Sequence, residues 1–331
     1  MFYEDSPPVN PLPILKEECG YSITEEKVTF DRSQLGKCII PKQPCHWNTK
    51  LGFNNYTPVV YGENDCKNEP FLQTYLNIKP IPNVGIFTPS SFYQYISVRR
   101  ASKFYVLNHK GYFIIANTET RINQDRKMNY VGIRFEDLLI HGQHYKTVNN
   151  TSSFKVMYTT TVSDRLSIHF SEVDAYLNDP HDYVEIKMIL CRGSIPSFNI
   201  KSNFKILLQL SRGNNYFDSF LFRLAIQCHY SSTKNVVIGI RDYSFNIRTI
   251  KQMSIERDIL PFMKSMYPDK YKEYLKSFDH VTAVMNEIIL KSSQSKMLSV
   301  TITSNEVKVE PHVYNRNIVA SEKFINFLDS L

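Results

Sequence analysis

The sequence predicts a single domain of the α+β class. Three observations carry this reading. The 331 residues, 42% hydrophobic and 21% charged, have enough apolar content to bury a sizeable core. Strand-like runs fill the middle of the chain, while a long amphipathic helix and a strand pair occupy its C-terminal part. No internal repeat, low-complexity segment or convincing linker divides it.

Taken in order, residues 1–50 are Pro-rich and weakly periodic and read as an extended lead-in. Residues 1–15 are expected to lie outside the domain, and 16–331 to form it. From about Phe92 the pattern turns to strands, with Tyr95-Ile96-Ser97-Val98 alternating. Lys103–Leu107 and Tyr112–Ala116 flank Asn108-His109-Lys110-Gly111, a good hairpin turn. Gly132–Ile140 has the mixed polar and apolar content of an element packed on one side. Arg165–Leu177 and Tyr183–Leu190 are strand-like runs around a turn at 178–182. Phe217, Phe220, Leu221 and Leu224 recur at helical spacing, and Asn235–Ile240 reads as a buried strand. Tyr271 to Ile289 is the clearest amphipathic helix. Strands at Leu298–Ile302 and Val307–Val309 and a short helix from Ser321 close the chain.

This composition excludes a disordered tail, a fibre and a disulfide miniprotein. No run approaches the ~18 apolar residues of a membrane span, and the start, MFYEDSPPVNP, does not read as a secretory signal. The expected location is therefore the nucleus or cytosol. Thirty-nine Lys and Arg against thirty-two Asp and Glu leave +7, which tilts the reading towards a polyanionic partner. The six cysteines form no CxxC pair or zinc spacing and read as free thiols.

The chemistry concentrates in Ser171-Glu172-Val173-Asp174 and Val184-Glu185-Ile186-Lys187. Residues two apart on a strand share a face. Antiparallel pairing about the intervening turn sets Asp174 opposite Glu185 and Glu172 opposite Lys187. Three carboxylates and an ammonium then meet on one patch of sheet. Such carboxylates repel, and a divalent cation with hard oxygen ligands, Mg²⁺ or Mn²⁺, resolves the conflict. That ion lowers the pKa of a bound water and neutralises phosphate charge, while Lys187 orients the water or stabilises developing charge. Asp followed eleven residues later by Glu-x-Lys is the skeleton of the Asp–Glu/Asp–x–Lys nucleases. For either tripeptide alone a solvated sheet face with a Glu172–Lys187 pair is the favoured reading, and only the two together in matching register bring the metal reading level with it. Glu136, in Gly132-Ile133-Arg134-Phe135-Glu136, is a further carboxylate upstream. Gln227 sits on the apolar side of its helix, as a ligand for phosphate or base or as a core amide. Arg99 is a bidentate phosphate contact or a surface charge.

In order, the chain carries Ile96-Ser97-Val98-Arg99, Gly132-Ile133-Arg134-Phe135-Glu136, Glu172-Val173-Asp174 and Glu185-Ile186-Lys187. It continues with Leu221-Phe222-Arg223-Leu224-Ala225-Ile226-Gln227 and Gly239-Ile240-Arg241-Asp242. This ordered set resembles the decapping exoribonuclease family, DXO and its fungal nuclear relatives, from about residue 15 onward. Arg121-Ile122-Asn123-Gln124-Asp125 and Leu51-Gly52-Phe53 look similar too. The resemblance implies two packed mixed or antiparallel sheets with flanking helices around a deep pocket. It implies Mg²⁺- or Mn²⁺-dependent hydrolysis of RNA 5′ ends with one or two ions: removal of incomplete caps, NAD caps or triphosphate, and 5′→3′ degradation of monophosphate RNA.

Carried over, Glu136, Asp174, Glu185 and the Ile186 carbonyl ligate metal. Glu172 holds a second ion or the attacking water, Lys187 positions that water, and Arg99 and Gln227 contact RNA. The chain departs from the family at Arg99-Arg100, Ala225 and Ser232-Thr233-Lys234. These departures touch the pocket wall and a turn, so they bear on cap preference and RNA path. Two alternatives stand beside this reading. One is a non-catalytic member that binds RNA or stabilises a 5′→3′ exonuclease partner, although all four acidic positions are intact. The other is a DNA nuclease on the same skeleton.

Overall fold

Thirteen strands among the described residues sort into two mixed sheets, and the strand that leaves one sheet to enter the other carries the candidate chemistry. The computed structural model describes residues 12–24, 27–56, 68–78, 81–117, 125–142, 148, 151–313 and 318–331.

The larger sheet has nine strands in the order β13-β12-β4-β5-β3-β7-β6-β1-β2. They are β1 (Lys16–Ile23), β2 (Val28–Thr29), β3 (Val84–Pro89), β4 (Ser102–His109), β5 (Tyr112–Asn117), β6 (Ser153–Val162), β7 (Arg165–Val173), β12 (Met297–Ile302) and β13 (Val307–Pro311). β3 runs parallel to both β5 and β7, and the other pairs are antiparallel. The smaller sheet has the order β11-β10-β9-β8, from β8 (Ala175–Tyr176), β9 (Tyr183–Leu190), β10 (Asn235–Arg241) and β11 (Ile247–Ser254). Only β9 and β10 are parallel there. Parallel neighbours need a long crossover, which α4 (Asn203–Arg212) and α5 (Phe217–Tyr230) supply.

The remaining described helices are α1 (Glu69–Asn77), α2 (Ser90–Val98), α3 (Arg126–His141), α6 (Leu260–Met266), α7 (Pro268–Lys291) and α8 (Glu322–Ser330). The main core joins Phe104, Val106 and Val300 of the large sheet to Ile189, Val236 and Ile238 of the small one. Phe92 and Ile96 of α2, Leu221 and Leu224 of α5, and Phe278, Val281 and Met285 of α7 complete it. A second core under α1 and α8 is aromatic, with Tyr75, Phe87 and Phe324 in edge contact. None of the described helices is long and apolar enough to cross a membrane.

The hairpin expected at Lys103–Ala116 is β4–β5, and both Lys110 and Gly111 have positive φ (50° and 91°), as a two-residue type I′ turn requires. The helices at Tyr271–Ile289 and after Ser321 and the strand pair near the C-terminus also form as expected. Gly132–Ile140 lies within α3, whose first turn is capped by the Asp125 side chain accepting from Met128 N at 2.9 Å.

One expectation needs correction. Tyr95–Val98 is not a strand but the last turn of α2. That helix packs against both α5 and α7, so Phe92, Tyr93, Tyr95, Ile96 and Ser97 are all buried and the helical period is blurred. Within the Pro-rich N-terminal stretch a regular element does form. β1 pairs antiparallel with β6, which makes residues 16–23 part of the large sheet. Residues 1–11, and residues 121–124 that contribute to the resemblance, lie outside the described residues.

Candidate active site

The strand-like run at Arg165–Leu177 divides at Asp174. β7 ends at Val173 in the large sheet, and β8 opens the small one at Ala175. Asp174 is thus the hinge residue between two sheets. β8 meets β9 with Ala175 opposite Val184 and Tyr176 opposite Tyr183. Extended by one residue, this is the register that sets Asp174 opposite Glu185. The ladder stops there, and the Asp174 carboxylate takes over, with Oδ2 accepting Ile186 N–H at 2.7 Å. Within one strand residue N–H and C=O point to the same edge. The Ile186 carbonyl therefore faces the edge on which Asp174 stands.

Glu185 is only 2% exposed. Its Oε1 receives two donors, the Lys187 ammonium and Gln227 Nε2, the latter at 2.6 Å. Lys187, two residues along β9, shares its face as expected. Gln227 reaches in from the C-terminal half of α5, and its amide donates to a carboxylate. Glu136 comes from the middle of α3 and is half-buried.

The charges are strongly coupled. Burial, then the Asp174 charge, pushes the Glu136 carboxyl well above the usual carboxylate range, with Lys187 opposing and Glu185 and Glu172 adding to the rise. Burial, then Glu185, raises Asp174 to about 7 against the opposing effects of Lys187 and the Ile186 N–H. Burial alone depresses Lys187, but Glu185, Asp174 and Glu136 together raise it well above the ordinary lysine value. The same field reaches Cys228 on α5, whose thiol is raised by burial and then by Glu185.

Glu172 is placed differently from the expected pairing. It belongs to β7, opposite Lys155 of β6 rather than opposite Lys187, and its side chain is exposed at the rim. The hairpin register breaks at the sheet change, so a pairing that holds at Asp174 does not extend two residues back. Arg99 is the left-handed residue that ends α2 (φ 48°), exposed, with its charge felt by His280 of α7. It does not join the hydrogen-bonded carboxylate group. The structure therefore brings together Glu136, Asp174, Glu185, Ile186, Lys187 and Gln227, sets Glu172 at the edge, and puts Arg99 outside. Lys155 went unnoticed in the sequence, although Ser153–Val162, with its β-branched and aromatic residues, carries the strand signal that would have located it.

Among the described residues, no three His, Cys, Asp or Glu side chains are gathered closely enough to close on a metal ion as they stand. The donor chemistry nevertheless fits a hard divalent cation. Two carboxyls raised by burial and mutual repulsion, a third neutralised by Lys187 and a free-edge carbonyl form an oxygen-only set. An ion bound through Glu185 Oε1 would displace the Lys187 ammonium from that oxygen.

A family model described as "RAI1 like PD-(D/E)XK nuclease" matches residues 95–327. The chain belongs to this family. No match is found among curated proteins. Solved structures with the same fold include Scheffersomyces stipitis Rai1 in complex with (3′-NADP)+ and calcium, at 16% identity and TM-score 0.73 over 96% of this chain and 95% of that one. Candida albicans Rai1 in complex with pU5-Mn2+ is similar at 15% identity and TM-score 0.73 over 97% of both chains. K. lactis Dxo1 in complex with manganese follows at 17% identity and TM-score 0.60 over 90% of both. Asp174, immediately before β8, and Glu185 and Lys187 on β9 lie within the matched residues. The fold and the family agree with the resemblance in the sequence. The departure at Ala225 is a fully buried position on α5, facing the core rather than the carboxylates.

Proposed function

We propose that this member of the RAI1-like nucleases is a divalent-metal-dependent hydrolase of RNA 5′ ends. The single observation that carries the reading is the convergence at β8–β9, where Asp174 bonds Ile186 N–H between Glu185 and Lys187. Glu136, Asp174, Glu185 and the Ile186 carbonyl are the ligands for Mg²⁺ or Mn²⁺, with Glu172 at the rim available to a second ion or to the attacking water. When bound, the ion polarises a phosphoryl oxygen and lowers the pKa of a water. Lys187, released from Glu185, orients that water or steadies charge developing on phosphate. Gln227 fixes Glu185 and presents its remaining amide atoms to substrate. Arg99 contacts RNA beyond the site.

Neighbouring structures hold 3′-NADP, 3′-FADP and pU5. These ligands support monophosphate and NAD-cap 5′ ends as substrates, and the proposed class also takes in triphosphate and incomplete-cap ends, in RNA 5′-end quality control and decay. Residues 16–331 act as the one catalytic domain.

The test is cleavage of one RNA carrying each of these ends in turn, with Mg²⁺, Mn²⁺ or EDTA, beside Asp174→Ala. Metal-dependent cleavage that disappears in the variant is expected. Silence on every end by a folded protein that still binds RNA would overturn hydrolysis in favour of a non-catalytic RNA-binding or exonuclease-stabilising role.

A further inference from the structure

On the other flank of α3 lies a groove of about 890 Å³ between residues 48–55, the start of α3 and the loop joining β10 to β11. Lys127 and Glu136 are nine residues apart, two and a half helical turns, so they point to opposite sides of α3. The groove is therefore a site separate from the carboxylates. None of its lining residues is acidic, and Lys50 and Lys127 are both among them.

Its floor is Phe245. The Lys127 ammonium sits 4.5 Å from that ring's centroid and the Arg241 guanidinium 4.6 Å. Arg241 is 5% exposed, and its Nε has no hydrogen-bond partner. Its other nitrogens bond the Asp242 carbonyl and Met128 Sδ rather than a carboxylate. The neighbouring Asp242 side chain is engaged by Arg248 at 2.6 Å. Among the described residues no carboxylate is bonded to this buried cation; the Asp242 charge offsets only part of the cost of burying it, which leaves attraction for an anion from outside. Phe245 holds φ 68°, a conformation rare for a bulky residue. It is fixed there by Thr49, whose N–H and hydroxyl both donate to the Phe245 carbonyl at 3.0 and 3.2 Å. Backbone strain of this kind persists where the surroundings over-determine it and clusters at ligand sites. At the mouth, Tyr243 stands 65% exposed.

The geometry points to this groove as a second, non-catalytic holding site for single-stranded RNA. Tyr243 at the mouth offers a face for stacking to an unpaired base, and the lysines offer contacts to phosphate. The asparagine amides of the lining provide donors and acceptors for base edges. A duplex, whose bases are already stacked, gains only the electrostatic part. The inference rests on RNA being the substrate and adds a place where the chain beyond the 5′ end is gripped.

The test measures binding of a 20-nucleotide oligo(U) to the full chain in EDTA, with Tyr243→Ala and Lys50→Glu. Both side chains are exposed, so the thermal midpoint should be unchanged. Each variant is expected to weaken binding about five- to tenfold. Lys50→Glu should also lower the salt slope by about one to two. A duplex of equal length should bind less tightly and be insensitive to Tyr243→Ala. In the presence of metal, KM for a long RNA should rise by the same factor with kcat unchanged. Unaltered oligo(U) affinity in both variants of a protein that cleaves RNA overturns the groove alone. Failure of the unaltered protein both to bind and to cleave RNA overturns the groove and the hydrolase reading together. Preferential binding of polyglutamate, lost in the same variants, reassigns the groove to an acidic protein and overturns it too.

Discussion

Asp174 Oδ2 accepts the backbone N–H of Ile186 at 2.7 Å, across the point where the β8–β9 ladder ends. One carboxylate thus does two jobs, closing the strand pair and facing Glu185. The jobs separate by substitution. Asp174→Asn keeps an acceptor for Ile186 N–H, whereas Asp174→Ala leaves that N–H unmet at a cost of about 1–3 kcal/mol. Both should lose hydrolysis by at least about a thousandfold, and only the alanine variant should melt several degrees lower. Mn²⁺ should raise the melting point of the unaltered protein and of neither variant. Equal melting points for the two variants, or an Mn²⁺ shift in Asp174→Asn, would contradict this division of labour.

Lys187→Gln tests the ammonium. The amide still donates to buried Glu185, so folding is spared, but the charge is gone. A fall in kcat of about a hundredfold is expected, with KM and the Mn²⁺ midpoint little changed. Parallel loss of metal affinity would mean that Lys187 organises the ligands rather than the water.

Much of this site was legible because period-two spacing is enough to align Glu185 with Lys187 and to pair Asp174 with Glu185. Glu172 was misplaced because no local signal marks a chain that changes sheet between Val173 and Ala175. α2 was misread because burial on several sides removes the amphipathic contrast on which a period is read. The Gln227–Glu185 bond spans 42 positions and depends on how α5 crosses the small sheet, which tertiary packing alone decides.

Stability should respond to pH through opposing groups, of which His169 and Asp174 can be separated by substitution. Burial lowers His169 to about 4, with its Nε2 against the Tyr230 carbonyl at 3.1 Å. Between about pH 6.5 and 4 the unfolded chain binds that proton and the native one does not, so this contribution falls as pH falls. Asp174, raised to about 7, behaves oppositely, because the native state takes up its proton first and gains stability as pH falls from 7. From pH 7 to 5, urea midpoints should drop more steeply in Asp174→Asn and less steeply in His169→Gln. The histidine is worth about 2 kcal/mol over that interval. Identical slopes in all three proteins would contradict both assignments.

Gly239 ties packing to chemistry. It lies on β10 opposite Met188 of β9, and a Cβ added there would stand 2.3 Å from the Phe135 ring. Phe135 is wholly buried in the core between α3 and the small sheet, so the ring has nowhere to turn. Gly239→Ala must therefore lift α3 off β10. Overpacking of this kind costs about 1–3 kcal/mol, and Glu136, the residue after Phe135, moves with the helix. The variant should melt lower and also lose activity beyond its loss of folded protein, with a weaker Mn²⁺ midpoint. Pairing it with Phe135→Leu, which opens room for the methyl group, should restore part of both. A melting point restored without any recovery of activity would show that the α3–β10 contact serves stability alone and does not position Glu136.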